Sequence, residues 1–319
     1  MTSQEILLKH IRQKLGKDTS VIDAIATVLQ ISYDAAHRRV ALKSRFSIDE
    51  TVALSRYFGL SMDALFKDEK IVLAQKTPEI LTMADMERYM AQSAENVARL
   101  TEGGAASVYY SAKDLPLFYT VGGTLLSKFK LYVWLNLLSG NNHWEPFEKF
   151  TVSTPLLQHG EALKKAYNKA DVHEIWNETT VNSSLQQVYY HFSSGLLSTE
   201  NAVAILNDVS DILTRCEQRC TTDNRYNMYY NELLILNNNV LITSADNQAL
   251  FVPYTMLGHF ITSDADTCAN TMAFFTSQMK NSVCLNSSGT RDRKGFFNKI
   301  HSKISRYKQM LADKTEFGL

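Results

Sequence analysis

Turn-forming residues are scarce in this chain of 319 residues, which holds 5 prolines and 13 glycines, well below average usage. A sandwich of short strands needs more of both, so long helices are favoured. Cysteine is equally rare. Four thiols (Cys216, Cys220, Cys268, Cys284) cannot form a disulfide framework for a chain this long, and nothing suggests an oxidising compartment. No apolar run approaches about 18 residues, so no membrane-spanning helix is expected. Met1-Thr2-Ser3-Gln4-Glu5 leads straight into an amphipathic pattern, without the basic and then apolar stretch of a secretory signal. The cytoplasm is the expected location. Net charge is also absent, 33 Lys+Arg balancing 33 Asp+Glu. With 45% hydrophobic and 21% charged residues, the composition excludes disorder and fibrous repeats.

The zero balance hides an asymmetry. Residues 1–47 carry eight basic side chains against four acidic ones, about +4, and residues 289–314 carry eight against two, about +6. The middle is therefore acidic, at about −10 by subtraction. A polyanionic partner for one end fits this distribution. At roughly 150 residues per domain the length admits two domains or three.

The first seventy residues are the most informative. Ile6, Leu7, His10, Ile11 and Leu15 recur at helical spacing up to Gly16, a helix stop. A second helix carries Ile22, Ile25, Ala26 and Leu29, and Gln30-Ile31-Ser32 interrupts it. Ser32 caps a third helix over about 33–42, with Ala36 and Val40 inward and Asp34, His37 and Arg38 outward. A fourth follows Ser47 with Ile48, Val52, Ala53, Leu54, Tyr57 and Phe58 as its apolar set. Ser61 caps a short fifth. Small Ala26 at the crossing and a three-residue turn describe a helix-turn-helix, whose polar, basic third helix fits a major groove about 12 Å wide.

Val28-Leu29-Gln30-Ile31-Ser32-Tyr33-Asp34-Ala35-Ala36-His37-Arg38-Arg39-Val40, with Ser47-Ile48-Asp49-Glu50-Thr51 and Leu60-Ser61-Met62-Asp63-Ala64-Leu65-Phe66, resembles the DNA-binding module of bacterial helix-turn-helix transcriptional regulators. The five-helix layout is similar to the λ-repressor/Cro class. That resemblance covers about a fifth of the chain and implies an all-helical, operator-binding domain. Two positions depart from the pattern: Gln30 stands where glycine is usual in the turn, and the Ala36/Val40 spacing is one residue longer. The candidate DNA-binding residues are Ser32, Tyr33, Asp34, His37, Arg38, Arg39, Lys43, Arg45 and Lys17. Arg38 and Arg39 suit bidentate contacts to guanine or phosphate. Lys43, Arg45 and Lys17 suit phosphate contacts, which position without reading sequence. Asp34 fits cytosine N4 or a pair with Arg38.

Beyond residue 67 the expectation is a linker over 68–78 and one larger domain over 79–319. The overall fold class expected is mainly α, with a helix-turn-helix domain at 1–67 and an α+β domain holding a small antiparallel sheet. Helices are expected from Thr82 to Gly103, over 125–138, near 156–170, 180–197 and 200–220, over 265–280 and, as a basic helix, over 290–311. A short strand or extended segment is expected at 107–111, and 172–176 separates two helical stretches. Leu233–Leu236, Val240–Thr243 and Ala249–Val252 read as strands of a meander separated by Asn and Asp turns.

No catalytic motif appears in this region. Cys216 and Cys220 sit four apart on a helix, where two buried thiols explain them better than half a metal site. Gly103-Gly104 and Gly122-Gly123 match no phosphate loop. His173-Glu174 reads as a satisfied surface pair rather than an acid/base group. No enzyme activity, cofactor or metal is expected. Aromatics including Tyr109, Tyr110, Phe118, Tyr132, Trp134 and Trp176 gather here, and such rings line ligand cavities as well as ordinary cores. The expected function is a sequence-specific, homodimeric DNA-binding transcriptional regulator, with double-stranded DNA as partner and a small-molecule effector for the large domain. The alternatives are an adaptor that docks protein through the helical module, or an enzyme in the large domain.

Overall fold

The structure is a computed structural model that describes residues 2–15, 19–66, 71–102, 106–140, 143–233 and 236–316. The chain divides into two compact units, Met1–Leu73 and Ala74–Leu319.

The first unit is built from α1 (Ser3–Lys14), α2 (Val21–Leu29), α3 (Tyr33–Val40), α4 (Ile48–Phe58) and α5 (Met62–Phe66). Each of the first four begins at a hydroxyl cap: Thr2, Ser20, Ser32 and Ser47 accept from a backbone N–H three residues on. Glu5 and Glu50 close capping boxes with Thr2 and Ser47. Leu7, Leu8, Ile11, Ile25, Ala36 and Leu54 form the buried core. α4 departs from its expected apolar set. Ile48, Val52 and Tyr57 are exposed, while Leu54 is buried in the core and Phe58 packs against it.

The second unit is helical around an eight-stranded mixed sheet. Its strands are β1 (Gln75–Lys76), β2 (Ser107–Ser111), β3 (Asp171–Trp176), β4 (Tyr226–Tyr230), β5 (Val240–Thr243), β6 (Gln248–Pro253), β7 (His259–Thr262) and β8 (Val283–Cys284), in the order β1-β7-β6-β5-β2-β3-β4-β8. The sheet expected here was small and antiparallel. The meander β5-β6-β7 is antiparallel, but β2, β3 and β4 run parallel. The cause is the connections. α7 (Leu125–Leu138) and α8 (Thr154–Tyr167) lie between β2 and β3, and α9 (Asn182–Ser193) and α10 (Thr199–Thr222) between β3 and β4. Crossovers of that length return the chain to the same end of the sheet, which makes the pairs parallel. Gln75–Lys76, inside the expected linker, pairs with Phe260 and Ile261 as an edge strand.

α6 (Met83–Thr101), α7, α8 and α10 share one core with Val108, Val172, Trp176 and Met228 of the sheet. α11 (Ala265–Lys280) covers the other face through Cys268 and Phe275, against Ile175, Leu241 and Leu250. The last helix, α12 (Thr290–Glu316), buries Phe296, Phe297, Ile300, Ile304 and Leu311. Its basic side chains reach this unit's own surface: Lys303 donates to the Glu178 carbonyl at 2.6 Å and Lys308 to Asn207 at 2.6 Å. Gly122, at φ 103°, and Gly160 let the turn before α7 touch α8; a Cβ on Gly160 would lie 2.8 Å from the Gly122 nitrogen. That close approach accounts for Gly122; a Cβ on Gly123 would meet nothing within 4 Å. Of the expected strand at Leu233–Leu236, Leu234 and Ile235 lie outside the described residues, Leu233 is exposed and Leu236 is buried.

Candidate functional site

In the first unit, α2 ends on Gln30 in the left-handed conformation (φ 53°, ψ 43°), and its N–H and that of Ile31 bond back to the last turn of α2. Ser32 then caps α3 by accepting from Ala35 N at 3.3 Å. At about 100° per residue, Tyr33, Asp34, His37 and Arg38 fall within a sector of about 140°, and all four are exposed. Ala36 and Val40, flanking that sector beside Tyr33, turn to the core. Ser32 itself serves as the cap at the head of this face. Among the described residues Arg38 has no ion-pair partner, and Asp34 does not pair with it.

Arg39 faces the other way. Its Nη2 and Nε donate to Glu50 at 2.6 and 3.1 Å, and its Nη1 donates to the Ala35 carbonyl at 3.1 Å. Both side chains are about four-fifths covered, at 21% and 19% exposure. A planar guanidinium forked onto a carboxylate is a strong, oriented pair, so Arg39 fastens α3 to α4. Burial opposes the charge on Glu50. The Arg39 hydrogen bonds and the Ser47 N–H outweigh it and hold the carboxyl below its ordinary range.

Sequence reasoning missed Gln4, which holds the loop after α3. Its amide nitrogen donates to the Arg39 and Ser44 carbonyls at 2.7 and 2.9 Å, and its oxygen accepts from Phe46 N at 3.2 Å. Leu42, at φ 60°, turns the chain there. Lys43 and Arg45 are exposed on this braced loop beside the end of α3. Lys17 lies outside the described residues. A polar residue near an N-terminus carries no sequence signal for such a brace, since its partners are backbone groups about forty residues away.

The second unit contains two features of chemical interest. His173-Glu174 is not a surface pair: Glu174 lies on the helix-covered face of β3 and is fully buried. Tyr119 and Tyr167 donate to its Oε1, and Trp176 Nε1 (2.8 Å) and Tyr226 (3.1 Å) to its Oε2. Burial raises the Glu174 pKa, against the pull of those donors and of Arg219, which lies over the Tyr226 ring at 4.1 Å. His173, on the opposite face, stacks on Tyr109 at 4.7 Å. Both carboxylate oxygens accept two hydrogen bonds each, and the side chain has no exposed surface. The second feature is a cavity of about 360 Å³ between α6, the antiparallel wing of the sheet and the loop after β2. Tyr110, Phe118 and Trp134, three of the rings picked out from sequence, line it, and Tyr89 of α6 adds a fourth.

Cys216, Cys220 and Cys268 are buried free thiols, and burial raises the Cys216 and Cys220 pKa values to about 12. Among the described residues no group of His, Cys, Asp or Glu side chains has the arrangement of a metal site, and no helix is long and apolar enough to cross a membrane. No family model, no curated protein and no solved structure matches this chain.

Proposed function

We propose that the chain is a sequence-specific DNA-binding transcriptional regulator in which α3 enters a major groove. The observation that carries this reading is the division of labour on α3. Tyr33, Asp34, His37 and Arg38 form one exposed face, while Arg39 and Gln4 fix the helix and the basic loop behind it. A groove-reading helix needs base-reaching side chains in front, a rigid mount behind and cations flanking it for phosphate. Arg38 suits the bidentate contact to guanine, and Lys43 and Arg45 suit phosphates. Arg39, expected among the DNA-contacting residues, is assigned here to positioning.

One helix of this size reads few base pairs. The second unit is therefore assigned to pairing two copies, so that α3 and its symmetry mate meet half-sites one helical turn apart, and to taking a small-molecule effector in its cavity. Selection of bound sequences from a random duplex pool, with full-length protein near physiological salt, tests the reading. It predicts an enriched inverted repeat. Failure to enrich any sequence contradicts it. The adaptor reading has one observation in its favour, the exposed apolar side chains of Ile48, Val52 and Tyr57 on α4. Under that reading Ile48→Glu abolishes partner capture, whereas the regulator reading leaves duplex binding unchanged in that variant.

A further inference from the structure

The last helix carries charge of one sign over most of its length. Residues 293–312 of α12 hold six Lys and Arg and no Asp or Glu, with Asp292 and Asp313 at either end. Three of the six are engaged by the second unit itself. Lys303 donates to the Glu178 carbonyl at 2.6 Å and lies 3.8 Å from its carboxylate, and Lys308 donates to Asn207. Arg293 donates to the Leu285 carbonyl at 3.4 Å.

The other three, Lys294, Lys299 and Arg306, are exposed, and so is Arg291 just before them. At about 100° per residue these four fall within a sector of about 140°, opposite the side that buries Phe297, Ile300 and Ile304. From Arg291 to Arg306 the sector runs about 22 Å along the helix. Among the described residues Arg291, Lys294 and Arg306 have no ion-pair partner. Lys299 has Glu232 at 3.9 Å, but at 54% and 58% exposure that pair is weak. A solvated helix face is ordinarily stabilised by Glu and Lys set four residues apart. Here the spacing brings like charges together instead: Arg291 with Lys294, Lys299 with Lys303, and Lys303 with Arg306. Each such pair is unfavourable until a polyanion neutralises it.

The uncharged part of the face narrows the partner. Gly295, Asn298, Ser302 and Ser305 stand exposed between the cations, and no apolar side chain falls in the sector over this span. A protein interface is built around aromatic and aliphatic anchors and is poor in Lys, and a helix on a membrane surface turns an apolar face to the lipid. Phosphate oxygens are met by Arg and Lys together with Ser and Asn, which is the set present.

We propose that the outer face of α12 grips the phosphate backbone of duplex DNA. The inference rests on duplex DNA being the partner of the chain, and adds a contact that base reading by α3 does not require. It is tested by the affinities of full-length wild type and Lys294→Gln/Arg306→Gln for the selected and a scrambled duplex, across a salt series. Lys165→Gln/Lys280→Gln, which removes the same charge from exposed positions on α8 and α11, is the control. Losing two phosphate contacts is expected to weaken both duplexes alike, by about fivefold or more, with the salt slope shallower by about 2. The control is expected to stay within about twofold, since screening confines each charge to about 8 Å. The α12 variant is expected to melt no lower than wild type, because like-charge repulsion is relieved.

Unchanged affinity and slope, a loss matched by the control, a loss confined to the selected duplex, or a clearly lowered melting temperature overturns the proposal. If wild type enriches no sequence yet binds duplex in a salt-dependent way that the α12 variant loses, this contact stands and base reading by α3 falls. If wild type enriches a sequence and the α12 variant binds it equally well, base reading stands and this contact falls. Absence of any duplex binding by wild type overturns both.

Discussion

Arg38 and Arg39 are neighbours in sequence with opposite surroundings, and the difference is measurable. Arg39→Ala strips Glu50 of two charge-assisted hydrogen bonds in a mostly covered place and should cost about 1–2 kcal/mol of stability in urea unfolding. Arg38→Ala should leave stability within about 0.5 kcal/mol, as exposed substitutions do. Equal losses from both would contradict the assignment of Arg39 as a mount. The same pair gives a pH dependence. Because the folded state holds Glu50 below its ordinary range, its contribution is present above the unfolded carboxylate range and is lost as pH falls through the depressed value. Glu50→Gln should therefore flatten the acid limb of the first unit's stability curve, and an unaltered limb would contradict that. In the second unit, Glu174→Ala leaves four buried donors without an acceptor and should cost more than about 4 kcal/mol. Glu174→Gln retains an acceptor oxygen and should cost clearly less. Burial raises the Glu174 pKa in the folded state, so its ionisation weakens folding as pH rises from the unfolded towards the folded value; Gln removes that dependence.

At the scale of elements, most of what could be read in advance came from local signals. Ser32, Ser47 and Thr82 mark the starts of α3, α4 and α6, and apolar spacing fixes α7 and α11 at their observed bounds. The strands were harder. β5 and β6 are apolar runs separated by turn formers and were visible, whereas β4 reads Tyr-Asn-Met-Tyr-Tyr and is a strand only because β3 and β8 flank it. β1 and β8 are two residues each, held by partners far away in sequence. Glu174 looked like a surface acid because its four donors come from Tyr119, Tyr167, Trp176 and Tyr226, three of them on other elements. The exposed face of α3 was legible from period alone; the Arg39–Glu50 fork and the Gln4 brace were not. The turn between α2 and α3 supplies a test at this scale. Gln30 occupies a left-handed conformation that costs a side-chain-bearing residue about 1 kcal/mol, so Gln30→Gly should raise the melting temperature of the first unit. A lowered melting temperature would show that the Gln30 side chain contributes more than its backbone strain costs.

For the whole molecule, the basic character of the two ends resolves into different roles. The basic residues of α12 are spent in part on the second unit itself, through Lys303 to Glu178 and Lys308 to Asn207. Those of the first unit that flank α3 are left to solvent, apart from Arg39. The central claim is that α3 reads bases through Arg38 while the basic loop grips phosphate. It is tested most directly by measuring the affinities of wild type, Arg38→Ala and Lys43→Ala for the selected duplex and for a scrambled duplex, across a salt series. The account predicts that Arg38→Ala loses about 1–3 kcal/mol on the selected duplex and little on the scrambled one, and that Lys43→Ala weakens both alike with a shallower salt slope. An Arg38→Ala protein that binds the selected duplex as wild type does, or that loses equally on both, would contradict it.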